Sequence, residues 1–302
     1  MKKFNILFIL LILSTNVLAK IELYTRDSKD PHEVSEMYDL LKSMIEKYPE
    51  KNLVYYVHGR SKDVEGEWKK IPKMEDYYNV KVIMLHWDSY STLLSRPVKN
   101  AELTSHELQK TFEDVKKIRL DYPDFFENRS LNLLCHSMGN LVLKHNVEFY
   151  HYDQQDQFIL FDNFVSVGAD VPMNDHYIWL EHLNFVKEKY ITMNNRDIVL
   201  LLSYLLDLKV KHPFTYKLGL GFDNYPSKKQ NIKSKVLDNI NYLDLSDVLV
   251  SDHAYNVSKD KIMINIFNKL LNGQSFLSPN KDENNFKIKT DKEKKNIFYI
   301  SK

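Results

Sequence analysis

The stretch Leu131-Asn132-Leu133-Leu134-Cys135-His136-Ser137-Met138-Gly139-Asn140-Leu141 decides how the rest of the chain is interpreted. An apolar run of strand length stops abruptly at Ser137, and a helical pattern begins at once. That pattern places four residues on one helical face: Leu141, Val142, His145 and Phe149. Serine suits a sharp strand-to-helix turn that lifts its hydroxyl out of the sheet, and Gly139 lets the helix stay close. The stretch therefore predicts a nucleophile elbow, with an ordinary serine helix cap as the alternative.

The length allows one large domain or two small ones, and the sequence lacks the common cofactor-binding motifs. The chain has 302 residues, of which 43% are hydrophobic and 13% aromatic, enough for a substantial core in one large domain. A formal net charge of +1 gives no argument for a nucleic-acid partner or an anionic membrane surface. The sequence has no Walker-type phosphate loop, no G-x-G-x-x-G and no H-E-x-x-H. We expect no cofactor, no metal ion and no nucleic-acid partner.

The N-terminal residues 1–19 have the pattern of a secretory signal peptide. Lys2-Lys3 form a short positive segment, and Phe4 to Leu13 is almost entirely apolar. Val17-Leu18-Ala19 then offers small residues at the positions that a signal peptidase reads. An uncleaved anchor would need a longer apolar stretch of roughly 20 residues. We expect cleavage after Ala19, a periplasmic or secreted protein, and no transmembrane segment in the mature chain.

Between residues 20 and 273, apolar runs alternate with helical patterns. The predicted strands are Ile21–Thr25, a run from Asn52 that ends in His58-Gly59, Val80–Trp87, Leu131–His136, Phe164–Asp170 with its end in a loop, Tyr190–Asn194 and Val236–Leu245. The predicted helices are Val34–Tyr48, Asn100–Leu120, the segment after Ser137, Asp175–Lys187, Ile198–Leu208 and a final helix from Asp252 to Leu271. This alternation predicts an α/β domain over residues 20–273, with a mostly parallel sheet and helices on both faces. Residues 274–302 are rich in Lys, Asn, Asp and Glu, and we expect a polar C-terminal tail without structure.

A serine hydroxyl is a poor nucleophile unless a neighbouring base, itself oriented by a third group, removes its proton. In hydrolases of this architecture the chain order is Ser, then Asp or Glu, then His. Asp197 and His253 satisfy that order after Ser137, and each lies just past a predicted strand. Asp170 also ends a strand and is an alternative acid. The simpler interpretation of either aspartate is a helix N-cap.

Acyl transfer also needs hydrogen-bond donors for the developing oxyanion. The Met138 backbone N–H comes with the elbow, and we expect the Arg60 N–H, in the loop after the Asn52 strand, to be the second donor. The Arg60 side chain could reach a carboxylate or phosphate of the substrate, or be solvated, and the sequence leaves both open. His58 is expected to brace this loop rather than to act as a base. Trp87 is expected either to line a pocket or to pack at the sheet edge.

With these motifs in place, the chain resembles the α/β-hydrolase superfamily. More narrowly, it resembles a little-characterised bacterial family with F-V-H-G, W-P-S, A-H-S-M-G-N and A-P-D motifs and a late G-H-x-Y. The corresponding segments here are Tyr56–Gly59, Trp87–Ser89, Cys135–Asn140, Gly168–Asp170 and Asp252–Tyr255. The resemblance implies Ser137 as nucleophile and His253 as base. Arg196-Asp197 with its following apolar helix resembles the acid-bearing stretch of that family.

The chain departs from the motifs of this family at three positions. Cys135 replaces the usual Ala or Gly, Asp88 replaces Pro, and Asp252 replaces the Gly before the histidine. None of these removes a catalytic group. We therefore expect an exported serine hydrolase that cleaves a carboxylic ester or thioester of a small-molecule or lipid-like substrate. The alternatives are an acyltransferase or amidase that uses the same residues, and a non-catalytic binding or scaffold protein on a hydrolase fold.

Overall fold

The computed structural model describes residues 20–90, 92, 96–152, 158–209, 216–226, 235–277 and 286–302. The predicted signal peptide, residues 1–19, lies outside them. Nine strands within the described ranges form one sheet in the order β1-β3-β2-β4-β5-β6-β7-β9-β8. The strands are β1 (Glu22–Tyr24), β2 (Asn52–Val57), β3 (Val80–His86), β4 (Leu131–His136), β5 (Phe161–Val167), β6 (Val186–Met193), β7 (Asn241–Asp244), β8 (Lys287–Thr290) and β9 (Ile297–Ser301). In this sheet order, neighbouring strands from β3 through β2, β4, β5, β6 and β7 to β9 pair in parallel. β1 and β8 pair antiparallel and form the two edges of the sheet.

Helices cover both faces of this sheet. They are α1 (Met37–Lys47), α2 (Val64–Trp68), α3 (Lys70–Tyr78), α4 (Val98–Asp121), α5 (Pro123–Asn128), α6 (Gly139–Tyr150), α7 (His176–Leu180), α8 (Ile198–Lys209) and α9 (Lys261–Leu271). Buried side chains of α1, α4 and α6 join one hydrophobic core, and those of α3 and α9 join a second core on the opposite face. None of the helices in the described ranges is long and apolar enough to cross a membrane.

The strand β2 shows why the central runs are continuously apolar. Leu53, Tyr55 and Val57 point into one core, and Val54 and Tyr56 point into the other. All five are almost completely buried. Each large apolar side chain buried in this way contributes about 1.5–3 kcal/mol relative to exposure. A strand covered on both faces therefore loses the alternation that half-buried strands show.

The predicted α/β architecture, a mostly parallel sheet with helices on both faces, is confirmed. In a parallel sheet the carboxyl ends of all the strands meet at one edge, where ligands bind. The interior strand β4 ends there in a sharp turn into α6. The loops after β2, β3, β5 and β6 leave from the same edge.

Two predicted elements are longer than the structure allows. The helix predicted over Asp175–Lys187 is wrong beyond Leu180, because the chain turns there and β6 begins at Val186. The apolar residues in between are buried in turns. The strand predicted over Val236–Leu245 is shorter in the structure, where only β7 is a strand. It is preceded by a turn, in which the Ile240 amide donates to the Leu237 carbonyl at 3.2 Å.

The predicted final helix starts nine residues too early. The structure has a short 3₁₀ turn at Tyr255–Val257, and α9 begins only at Lys261. Asp260 caps α9 by accepting from the Ile262 amide at 2.8 Å, and this capping aspartate is what fixes the helix start. His253 therefore lies on a loop and not in a helix.

The expectation that residues 274–302 form an unstructured tail is wrong for 286–302. The strand β9 adds to the sheet beside β7, and β8 pairs with β9 at the edge. Phe286, Phe298 and Ile300 are buried in the same core as α9. The short apolar run Ile297–Ile300 did not predict a strand, because the residues around it are mostly charged or carry amide side chains.

This placement predicts that the C-terminal strand contributes to global stability. Phe298→Ala is expected to lower the free energy of unfolding by about 3–5 kcal/mol, because it empties a buried aromatic site. The matched control is Ile288→Ala on the edge strand, where the side chain is 39% exposed and the loss should stay below about 1 kcal/mol. Urea unfolding monitored by circular dichroism measures both. Equal midpoints for the two variants would show that β9 is not part of the cooperative core.

Candidate active site

Ser137 occupies a turn with a backbone conformation that residues with side chains seldom adopt. Its φ is +51°, in the left-handed region. The Ser137 amide donates to the Val167 carbonyl at 2.8 Å, and the Ser137 carbonyl accepts from the Asn140 amide at 3.1 Å. These bonds join the end of β4 to the end of β5 and to the first turn of α6. Backbone strain of order 1–3 kcal/mol persists where the surroundings impose it, and it clusters at functional sites.

Two glycines allow other backbone segments to contact this turn. A β-carbon on Gly139 would lie 2.2 Å from the Val57 carbonyl oxygen, so only glycine lets α6 begin against β2. A β-carbon on Gly59 would lie 2.5 Å from the β-carbon of Ser137. The loop after β2 therefore rests directly on the turn that carries Ser137.

Asp197 and His253 are in direct contact. The Nδ1 atom of His253 lies 2.7 Å from Oδ2 of Asp197. Asp197 is fully buried, and its other oxygen accepts from the Leu200 amide at 3.1 Å. An ionised carboxylate only accepts hydrogen bonds, so Nδ1 is assigned the proton, which leaves Nε2 as the basic nitrogen. The backbone at the start of α8 thus holds the carboxylate, and the carboxylate orients the imidazole.

The His253 ring packs against the loop beside Ser137. A β-carbon on Gly168 would lie 3.1 Å from both Cε1 and Nδ1 of His253, and Gly168 follows the residue that accepts the Ser137 amide proton. His136 approaches from the other side: its Nε2 lies 3.3 Å from the His253 carbonyl, and the two ring centroids are 4.8 Å apart. In the described part of the chain, no hydrogen bond joins the Ser137 hydroxyl to His253. Such bonds are often long before a substrate binds.

Asp170, the alternative acid, does not contact His253 but sits in a buried ion-pair cluster. Its Oδ1 lies 3.1 Å from Arg96 Nη2 and 3.2 Å from Lys217 Nζ, and it accepts from the Ser203 hydroxyl at 2.9 Å. Asp207 on α8 pairs with the same two cations. Burial alone would raise the pKa of Asp170, but the charges of Arg96 and Lys217 outweigh it and hold that pKa well below its usual range.

The two amides predicted as oxyanion donors have no acceptor among the residues that the structure describes. Neither the Met138 nor the Arg60 backbone N–H bonds to another residue in the described ranges. The Arg60 guanidinium, however, is engaged. It donates to the Thr92 carbonyl and lies 5.4 Å from the centre of the Tyr90 ring. Its side chain thus fastens the loop after β2 to the loop after β3.

His58 braces the loop after β2, as its position in the sequence suggested. Its Nδ1 lies 2.5 Å from the Gly59 carbonyl, and its Nε2 lies 3.0 Å from His86 Nδ1 and 3.3 Å from the Trp87 amide nitrogen. Burial lowers the pKa of His58, and it lowers that of His86 to about 4, so both rings are neutral near pH 7. Trp87 is fully buried and its indole N–H donates to the His58 carbonyl at 2.9 Å. It therefore packs at the strand end.

The helix α8 has its polar side inward and its apolar side outward. Ser203 and Asp207 face the buried cluster around Asp170. Four apolar residues are each about half exposed: Ile198, Val199, Leu202 and Leu205. Surface helices in globular proteins ordinarily show the opposite arrangement. Leu200 anchors this helix in the core, and the ion pairs hold its polar side beside the edge that carries Ser137.

Sequence reasoning missed the residues that hold the site together. Arg96 and Lys217 lie in segments without periodicity, and nothing in the sequence points to their pairing with Asp170. A second set of buried polar residues was also missed: Asn140, Ser166, Thr192 and Tyr255. Of these four, Asn140 and Tyr255 gave a signal, as the last residues of the elbow motif and of the late G-H-x-Y motif. Within the described ranges, no group of three or more His, Cys, Asp or Glu side chains is placed to hold a metal ion.

Comparison with solved structures finds distant likeness to several proteins. No family model matches the chain, and no curated protein matches it. A predicted CIB-like hydrolase from Thermoplasma acidophilum is 11% identical, with a TM-score of 0.36 over 73% of this chain and 86% of that one. A lipase-esterase related protein from Clostridium acetobutylicum ATCC 824 is 12% identical, with a TM-score of 0.36 over 74% and 96%. A protein with unknown function from Staphylococcus aureus subsp. aureus Mu50 is 10% identical, with a TM-score of 0.34 over 84% and 92%. Likeness at this level does not bear on activity.

The cluster around Asp170 predicts a pH-dependent loss of stability. Asp170→Asn is expected to lower the free energy of unfolding by about 3–5 kcal/mol at pH 7, because it leaves two buried cations with one anion fewer. The pKa of Asp170 is depressed in the folded state, so its stabilisation is present above the unfolded value of about 3.9 and is lost as the pH falls through the folded value. The difference in unfolding free energy between wild type and Asp170→Asn should thus shrink by up to about 1.4 kcal/mol per pH unit below about pH 4.

Denaturant unfolding between pH 3 and 8 measures this difference. The control is Asp252→Asn, an exposed acid near the same edge, which should change stability by no more than about 0.5 kcal/mol. If the difference in unfolding free energy between wild type and Asp170→Asn stays the same in acid, the carboxylate charge is not what holds the cluster.

Proposed function

We propose that the chain is an exported serine hydrolase that cleaves a carboxylic ester or thioester through an acyl-enzyme. The observation that carries the proposal is Ser137 in a left-handed turn at the end of β4, at the same sheet edge as the Asp197–His253 pair. A strained serine beside an oriented imidazole is the arrangement that activates an alcohol for attack. The narrower resemblance to a bacterial family with these motifs belongs to the same proposal.

In the proposed acylation step, Nε2 of His253 takes the proton of the Ser137 hydroxyl as Oγ attacks the carbonyl carbon of the substrate. Asp197 keeps the imidazole oriented and stabilises the imidazolium that forms. The carbonyl oxygen becomes an oxyanion, which accepts hydrogen bonds from the Met138 and Arg60 amides. Each of these bonds stabilises the transition state by about 3 kcal/mol. The tetrahedral intermediate then expels the alcohol or thiol, which receives its proton from His253.

In the proposed deacylation step, His253 removes a proton from water, and the resulting hydroxide attacks the acyl carbon. Collapse of the second tetrahedral intermediate releases the carboxylic acid and returns the proton to Ser137 through His253. The predicted signal peptide supports a site of action in the periplasm or outside the cell. A small-molecule or lipid-like ester is the proposed substrate class.

Labelling with a fluorophosphonate probe tests the proposal. Wild-type protein is expected to gain one covalent adduct on Ser137, located by mass spectrometry, and Ser137→Ala is expected to gain none. Asp197→Asn and His253→Ala should slow labelling by about 10³–10⁴-fold, since each removes part of the base that activates the serine. A chromogenic ester panel of varied acyl length, run beside an amide and a thioester, then identifies the preferred leaving group.

Two controls keep the result specific. Ser203→Ala, which alters a half-buried serine outside the proposed triad, should label at the wild-type rate. Asp170→Asn, assayed where it is folded, should keep far more labelling than Asp197→Asn if Asp197 is the acid. A wild type that resists the probe would favour the binding or scaffold alternative and end the hydrolase proposal.

A further inference from the structure

Asn140 uses every hydrogen-bonding atom of its side chain around the turn that carries Ser137. It is fully buried in the first turn of α6. Its Nδ2 donates to the Cys135 carbonyl at 3.0 Å and to the Ser137 carbonyl at 3.1 Å, and its Oδ1 accepts from the Ser166 hydroxyl at 2.7 Å. The two carbonyls require donors, so the amide has only one orientation that satisfies all three contacts.

The Ser137 carbonyl receives an unusual number of donors. Besides Nδ2 of Asn140, it accepts from the Asn140 amide at 3.1 Å and from the Asp170 amide at 3.3 Å. A trans peptide is planar, so its N–H points away from its C=O. Fixing the direction of the Ser137 carbonyl therefore fixes the direction of the Met138 N–H, which has no acceptor in the described protein.

We propose that Asn140 is a positioning residue that holds the Ser137–Met138 peptide so that the Met138 N–H faces the oxyanion of the substrate. The inference rests on the proposed hydrolase function. Asn140 bonds to the Cys135 carbonyl, before the strained residue, and to the carbonyl of the strained residue Ser137 itself. One side chain thus restrains the left-handed turn at two points.

This restraint is anchored in the centre of the sheet. Ser166, which fixes the Asn140 amide, lies in β5, and its own carbonyl accepts from the Thr192 hydroxyl of β6 at 2.7 Å. The Thr192 hydroxyl lies 2.9 Å from the Tyr255 hydroxyl, which also accepts from the Gly168 amide at 2.9 Å. Tyr255 lies two residues after His253. One buried network thus connects the turn of the nucleophile to the loop of the base.

A second buried asparagine in the same helix supplies a matched control. Asn146 is also fully buried, and its Nδ2 donates to the Ser105 carbonyl at 2.9 Å. It lies nearly two turns farther along α6 and makes no hydrogen bond to the turn at Ser137 in the described residues. Truncating either asparagine leaves buried polar groups unpaired. Only Asn140 contacts the peptide that supplies the oxyanion donor.

The test compares Asn140→Ala, Asn140→Asp and Asn146→Ala by steady-state hydrolysis of the best chromogenic ester and by inhibition with a trifluoromethyl ketone, which forms an oxyanion on the serine. Both Asn140 variants are expected to lose roughly 10²–10³-fold in kcat, the effect of one misplaced oxyanion donor, with little change in KM. The inhibition constant of the ketone should rise by a similar factor. Asn146→Ala should unfold more easily than wild type but keep its kcat.

Ser166→Ala is a milder variant in case neither Asn140 variant folds. It removes only the hydroxyl that fixes the Asn140 amide, and kcat should fall roughly five-fold, the effect of one hydrogen bond. Unchanged kcat and ketone affinity in the folded variants, or an equal loss in Asn146→Ala, would overturn the positioning role while leaving the hydrolase intact. A wild type inert to both probe and esters would overturn the function and this role together.

Discussion

The left-handed backbone of Ser137 is the constraint on which the rest of the structure depends. A residue with a side chain adopts this conformation only where neighbouring groups impose it. Here they approach from three sides: β2 through the Val57 carbonyl, the following loop through Gly59, and β5 through the Val167 carbonyl. Each contact is made by backbone or requires glycine. The turn is therefore a property of how the strands and α6 pack together.

The opposite side of the site is organised by charge. Asp170, Arg96, Lys217 and Asp207 form a buried cluster of two anions and two cations. Such a cluster contributes little net stability compared with apolar packing, but it is costly to break once formed. It holds α8 by its polar side, so Asp197, just before this helix, stays in place against His253 while apolar residues of α8 remain exposed.

Much of the fold was predictable because doubly covered strands produce apolar runs that few other structures require. β2, β3 and β4 were found in this way, and their order with the elbow motif predicted that Ser137, Asp197 and His253 would meet at one edge. The partners of Asp170 were not predictable, because ion pairs between distant segments leave no periodic trace. β9 was missed because four apolar residues in a charged segment fall below any compositional signal. The start of α9 was missed because Asp260, not Asp252, satisfies the first free amides of the helix.

The position of β9 also has a consequence for the order in which the molecule can assemble. β7 is short, and until β9 pairs with it the sheet ends in an open row of backbone donors and acceptors. A chain that emerges in order from its N terminus must therefore carry this open edge until residues 286–302 appear. Once they do, β8 covers β9 with a strand whose Lys287 and Lys289 are exposed, and lysines on an outer strand discourage pairing with other chains. Pairing of residues 286–302 with β7 therefore replaces an open, aggregation-prone sheet edge by an edge that resists pairing with other chains.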